Sequence, residues 1–317
     1  MVCVVLAGAG DAGAQSWKLS RNVEIIVGAG PGGGADLTAR QMQKLLKEKL
    51  ALDFSVNVIN KTGGGSSLSY VYLNLHAGDA HYLALSLQPM ITGPMMIAGQ
   101  VAYTDMTPLA HLFNEYVGFA VRPDSTIRSG RDLVERLRKD PAAVSIGVTT
   151  ALAGSNHLAT VLALKAAGVD IKKLRVLVLG GAGEAVAGVM GGHFDVIALS
   201  VAGLITYVQS GKLRGIAASG PQRLSGAFAE VPTWKEQNVD SVYANWRGVV
   251  GPKGLSAVQV AYWDDALSRL TQTPEWREDL ARSLQDPAYL NSRDTRRFLD
   301  TQQQELRAVL VELGLAK

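Results

Sequence analysis

An unbroken apolar run, Val23–Val27, leads into a burst of glycine and then into Asp36–Leu50. In that last segment Leu37, Met42, Leu45, Leu46 and Leu50 fall at helical spacing, opposite Arg40, Lys44 and Lys47. The pattern predicts a strand, a loop and an amphipathic helix. The order repeats. Phe54–Asn60 reads as a strand, Gly63–Ser67 as a glycine-serine loop and Leu68–Ala77 as a helix, with Tyr82–Leu87 as a third strand. A second set starts near Val117–Val121. It continues with a helix (Arg128–Lys139), a strand (Val144–Val148), a helix (Ser155–Ala167), a strand (Leu174–Leu179) and a helix (Glu184–Gly191), then strands at Phe194–Leu199 and Leu213–Ala218. One more strand, Trp246–Val250, precedes charged amphipathic helices that run to Lys317. Strands alternating with helices predict an α/β fold with mainly parallel sheets, whose ligand loops lie at the C-terminal ends of the strands.

Leu83–Thr104 carries no charge and is long enough to span a bilayer, but it contains Gly93, Gly99, Pro89, Pro94, Gln88 and Gln100. A buried strand followed by a loop is the expectation there.

Four strand–glycine–helix units stand out, at Gly28–Asp36, Gly63–Ser67, Thr149–His157 and Gly180–Glu184. A helix start offers N–H groups without intrahelical partners and the positive end of the helix dipole, and glycine lets a ligand reach the backbone. One such loop is an ordinary turn; four of them point to an anion held mainly by backbone. Gly28, Gly30 and Gly33 also match the dinucleotide fingerprint G-x-G-x-x-G. That reading needs an acid closing the second strand, to hold a ribose. The strand ends in Asn60-Lys61, and Asp53 would precede it. No Gly-Lys-Ser/Thr follows the glycines, which removes the P-loop. An enzyme using NAD or FAD through the Gly28–Gly33 loop is the weaker alternative.

The chain has 317 residues, 47% hydrophobic and 19% charged, with a net charge of +3. This is a globular composition with no basic block for nucleic acid. The single cysteine, Cys3, excludes a disulfide framework and a thiolate nucleophile in the folded body. His76, His81, His111, His157 and His193 show no metal spacing, and G-x-S-x-G is absent. No catalytic residue, cofactor or metal is expected. Asp36 has two readings, a helix cap paired with Arg40 or an organiser of the loop. His157 follows Gly154-Ser155-Asn156 and is either packed or a donor to an anion. Asp195 is either a turn residue or an acceptor at a cleft. Residues 1–20 read as the remnant of an export signal, with Ala12-Gly13-Ala14 before Gln15 as the cleavage-like stretch, or else as an N-terminal extension.

Seven landmarks, in order, resemble one family. Pro31-Gly32-Gly33-Gly34-Ala35-Asp36 with Arg40 is similar to P-G-G-x-x-D…R, and Val58–Gly64 to V-x-N-x-x-G-A/G. Ser129–Leu133 resembles S-x-x-D-L, Gly191–Asp195 resembles G-G-H-x-D, and Gly211–Arg214 with Ala217 resembles G-K-L-R-x-L-A. Val231-Pro232-Thr233 with Glu236, and Trp246–Pro252, resemble V-P-T-x-x-E and W-x-G-x-x-A-P. Where the family often reads V-P-Y-K-G, Val176–Gly180 has no Tyr-Lys. The joint order, from Val23 to Leu315, resembles the substrate-binding receptors of tripartite tricarboxylate transporters, the Bug type.

The resemblance implies a two-lobed type II periplasmic binding-protein fold with a ligand cleft between the lobes. Residues 21–118 and 222–317 would form lobe 1 and 119–221 lobe 2, hinged near Gly118–Val121 and Gly215–Ser219. The protein would be a monomeric periplasmic receptor that delivers a small carboxylate to the permease subunits of such a transporter. A receptor-fold sensor without a permease is a further alternative. Carried over position by position, the first-lobe grip would be Pro31, Gly32, Gly33 and Asp36, with Gly64, Ser66 and Ser86. The second-lobe grip would be Thr149, Gly154, Ser155, Asn156 and His157, with Gly181 and Asp195 beyond.

Overall fold

The computed structural model describes residues 17–49, 54–149 and 151–316. Residues 1–16, which hold Cys3 and most of the stretch read above as an export signal, and Asp53 lie outside the described residues. The first half of the chain runs β1 (Val23–Val27), α1 (Gly34–Lys49), β2 (Val56–Asn60), α2 (Ser67–Asn74), β3 (Tyr82–Ser86), α3 (Pro89–Met96), β4 (Thr107–Val121), α4 (Gly130–Lys139), β5 (Ser145–Thr149) and α5 (Ser155–Ala166). The second half runs β6 (Arg175–Leu179), α6 (Ala182–Met190), β7 (Val196–Ser200), α7 (Val201–Gln209), β8 (Arg214–Ala218), β9 (Ala244–Gly251), α8 (Ala257–Gln272), α9 (Pro274–Arg282), β10 (Asp286–Leu290) and α10 (Ser292–Glu312).

The strands form two sheets that share β4. The first has the order β2-β1-β3-β9-β4, with β10 on the outer edge of β4; the second has the order β6-β5-β7-β4-β8. Each opens with three parallel strands, β2-β1-β3 and β6-β5-β7. Each then adds an antiparallel strand, β9 in the first and β4 in the second. Both sheets are therefore mixed, and the expectation of mainly parallel strands holds for the three that open each one. β1 and β7 are buried along nearly their whole length, as strands covered on both faces must be, and are apolar accordingly.

One strand serves both sheets. Thr107–Tyr116 of β4 pairs with β9, Val117–Val121 with β7, and Gly118–Val121 with β8. The chain crosses between lobes at Tyr116–Val117, just before the expected Gly118–Val121. Ser219 stitches the return. Its N–H donates to Val117 O (2.9 Å), its Oγ accepts from Val117 N (2.9 Å) and donates to Tyr243 O (2.7 Å). Phe228, Val231, Trp234 and Val239 bury themselves against the second sheet, so residues 222–239 pack with the second lobe although the division above placed them with the first.

Three elements depart from the sequence reading. The expected loop after β3 is helical, α3. Pro89 sits in its first turn, where its missing N–H costs nothing, and the helix ends two residues after Pro94. Val201–Gln209 is a further helix that the reading passed over, and β10 interrupts the C-terminal helices. No helix among the described residues is long and apolar enough to cross a membrane.

Candidate functional site

A cavity lies between the lobes at the C-terminal ends of β1, β3, β5 and β7. Five helix N-termini border it, those of α1, α3, α5, α6 and α7. In α3 the first turn is used up: Pro89 has no N–H, and Met90 and Ile91 donate to Leu87 O and Gln88 O at 3.0 Å. The first-turn N–H groups of α1, α5, α6 and α7 have no acceptor within their own helices.

Side-chain caps follow the same division. Of the helices that start away from the cavity, four are capped and α2 is not. Ser129 of α4 accepts from Asp132 N, Ser256 of α8 from Gln259 N, Thr273 of α9 from Trp276 N, and Asn291 of α10 from Asp294 N. At the cavity Gln88 (α3), Gly154 (α5), Gly181 (α6) and Ser200 (α7) occupy the cap positions and none makes a capping bond. A cap contributes about 1 kcal/mol to its helix. Four helices forgo it where they face the cavity, and in α5, α6 and α7 this leaves first-turn N–H groups and dipoles for an anion.

Of the residues carried over from the resemblance, Gly33, Thr149, Gly154, Ser155, Asn156 and Gly181 line the cavity. The others do not. Pro31 and Gly32 are exposed. Asp36 is buried and turned back into its own loop: it accepts from Gly32 N (3.0 Å), Asn60 Nδ2 (3.0 Å) and Arg40 Nε (2.9 Å). Burial pushes its carboxyl up, but the Arg40, Gly32 and Asn60 bonds outweigh that and hold it below the usual carboxylate range. It organises the loop and caps nothing in the cleft. Ser66 donates its hydroxyl to Gly28 O (2.8 Å), and Ser86 packs against Gly248. Gly64 borders an adjoining apolar hollow with Ala151 and Val178.

His157 and Asp195 are corrections. Burial lowers the His157 pKa to about 4, and its Nδ1 accepts from Ala153 N at 3.1 Å. It is neutral at physiological pH and braces the left-handed turn at Ala153 (φ 56°) ahead of α5. Asp195 accepts from Ser145 N (2.8 Å) and Ser145 Oγ (2.6 Å). It precedes β7 and ties its start to the start of β5, the end of the sheet opposite the cavity.

Sequence reasoning missed the polar group at the cavity floor. Arg247 and Asn245 on β9 line the cavity, and the buried Glu115 of β4 stands behind them. Arg247 Nη2 pairs with Glu115 Oε1. Asn245 Nδ2 donates to Glu115 Oε1 (2.6 Å), Gln285 Nε2 to Glu115 Oε2 (3.2 Å), and Arg247 Nη1 to Asn245 Oδ1 (2.8 Å). Burial pushes the Glu115 carboxyl up, opposed by Arg247 and Gln285. All three partners are N–H donors, the set an ionised carboxylate requires. A lone acid inside the apolar run Leu109–Val121 was the available signal, since a buried charge needs a partner.

The lobes meet glycine to glycine. A Cβ on Gly30 would stand 3.2 Å from Gly180 O and 3.5 Å from Gly181 Cα. Thr92 Oγ1 donates across the gap to Ala153 O (3.0 Å). Gly28 lies against Ser66 and Ser69, where a Cβ would come within 2.6 Å. The first two fingerprint glycines thus serve loop packing, at Gly28, and the close contact between lobes, at Gly30. Gly30→Val is expected to hold the lobes apart and to weaken ligand binding by about tenfold or more, as a closed state lost from the ensemble would. Titration calorimetry against the wild type checks this, and an affinity within a factor of about two would refute it.

The family whose description reads "Tripartite tricarboxylate transporter family receptor" matches residues 38–315. A Cupriavidus necator protein described as "UPF0065 protein in gbd 5'region" is 28% identical over 298 residues, covering 94% of this chain and 89% of that protein. Among solved structures, the periplasmic binding protein BugD superposes with a TM-score of 0.85 at 20% identity, covering 95% of this chain and 100% of that one. An R. palustris protein solved with adipate gives 0.85 at 20% identity, covering 94% and 98%.

Proposed function

Because the chain belongs to the tripartite tricarboxylate transporter receptor family, we propose that it is a periplasmic receptor that binds a small organic carboxylate between its lobes and delivers it to the permease subunits of such a transporter. One observation carries the ligand class: four helix N-termini, α1, α5, α6 and α7, converge on one cavity with no side-chain capping bond seen at α5, α6 or α7. A carboxylate placed there accepts backbone N–H bonds and meets four dipoles, each worth up to about 2 kcal/mol when partly buried. The adipate in the R. palustris relative supports the same class.

The contacts we assign to ligand are Gly33, Thr149, Gly154, Ser155, Asn156 and Gly181. Asp36, Ser66 and His157 hold the loops that present them. The lobes divide at the Tyr116–Val117 crossing and at the return through Ser219 and Tyr243. The protein acts as a monomeric receptor and not as an enzyme. Native mass spectrometry of protein purified without refolding is expected to find a small organic anion bound. A panel of mono- and dicarboxylates is expected to raise the melting temperature with at least one member. A folded protein that carries no anion and responds to none of the panel would overturn this function.

A further inference from the structure

Three side chains that line the cavity carry polar atoms without a hydrogen-bond partner: Ser200 Oγ, Gln88 Nε2 and Arg247 Nε. Their relative exposures are 3%, 1% and 7%, so each is buried by more than nine-tenths. They arrive from three places, the end of β7, the start of α3, and β9. Ser200 occupies the cap position of α7, yet its hydroxyl makes no capping bond. It lies across from the start of α1, 2.8 Å from where a Cβ on Gly34 would stand. Gln88 receives the Tyr243 hydroxyl on Oε1 (3.3 Å), which leaves its amide nitrogen. Arg247 commits Nη1 to Asn245 and Trp246 O, and Nη2 to Glu115, which leaves Nε. Buried donors of this kind imply an acceptor, because leaving them unmatched is costly.

The acceptor's charge follows from the surroundings. Arg247 is the one charged side chain among the described lining residues, and Glu115 balances it. This end of the cavity therefore offers donors with no net positive charge. A second carboxylate there would sit near the buried Glu115 carboxylate, with no cation left to offset it. A hydroxyl or carbonyl oxygen meets the same donors without that repulsion.

We propose that the ligand is a monocarboxylate bearing a hydroxyl or oxo group. Its carboxylate lies at the helix N-termini, and its second oxygen is held by Ser200, Gln88 and Arg247. This rests on the receptor reading above and narrows it. Ser200 comes from the second lobe and the other two from the first, so the oxygen is gripped only when the lobes close.

The test is titration calorimetry with lactate, pyruvate and 3-hydroxybutyrate against propionate, butyrate, malonate and succinate. The best oxygenated acid is expected to bind at least about tenfold tighter than its unsubstituted analogue and than either dicarboxylate, the discrimination expected of a site built to hydrogen-bond an oxygen. In Ser200→Ala the oxygenated-to-plain ratio is expected to fall by about tenfold, and Ser200→Thr, which keeps the hydroxyl, to retain it. Melting temperatures of both variants show that they are folded. A dicarboxylate binding tightest, or equal affinity for plain and oxygenated acids, overturns this inference and leaves the receptor reading standing. Binding of no carboxylate at all overturns both.

Discussion

Replacing Arg247 by methionine is expected to destabilise the protein by about 3–5 kcal/mol, the cost of leaving a buried charge without its partner. Glu115 would keep only Asn245 Nδ2 and Gln285 Nε2, two neutral donors, in a site closed to water. The double variant Glu115→Gln/Arg247→Met is expected to recover at least half of that loss. The new amide keeps its oxygen toward Asn245 Nδ2 and turns its NH2 toward Gln285, whose own side-chain amide flips to accept from it. Urea unfolding of the wild type, the single and the double variant gives the three values. A single-variant loss under about 1 kcal/mol would show that the pair is not the buried, mutually dependent unit described here.

Acid is expected to destabilise the fold well before its carboxylates titrate. His111 and His157 are both lowered to about 4 by burial. In the unfolded chain each titrates near 6.5. Between those values the unfolded state holds a proton that the folded state refuses, so stability is full above about pH 6.5 and falls as pH drops toward about 4. Each histidine contributes a loss on the order of 3 kcal/mol across that window, with a slope of up to about 1.4 kcal/mol per pH unit. Glu115, pushed up by burial, works in the opposite direction, so the clean readout is a difference between variants. His111 packs edge-on against Phe298 (ring centroids 4.7 Å apart) and beside Trp246, an apolar setting that His111→Leu can fill. Urea unfolding from pH 7 to 4 is expected to show a shallower slope in this variant by up to about one proton. An unchanged slope would place its folded-state pKa near the unfolded one.

The glycine loops were legible because helix starts are local: a strand, small residues and an amphipathic run fall within about twenty positions. Which loop residues face the cleft was not. Asp36 looks from sequence like a ligand group, and only the convergence of Gly32, Arg40 and Asn60 turns it inward. Asp195 was misplaced because its position relative to a strand end decides everything, and the strand starts one residue later. The Glu115–Arg247 floor was hidden for a different reason. It forms where β4 and β9 pair antiparallel across long sequence separation, with register shifts that no local pattern records. The helix α7 was lost in an apolar stretch whose period is ambiguous between buried strand and buried helix.

The seam at Gly30 and Gly181 presents almost no side-chain surface from either lobe. Contact there buries little apolar area, so the closed arrangement gains little from its own rim. Apolar contact between the lobes lies elsewhere, where Leu158 and Val161 of α5 cluster with Met90 and Trp246, so at this rim what lies inside the cavity tips the balance between open and closed populations. A ligand shifts such an equilibrium only by the difference in its affinity for the two states. With the rim nearly silent, that difference becomes the signal itself, and a closed lobe pair reports occupancy to whatever reads the protein's surface.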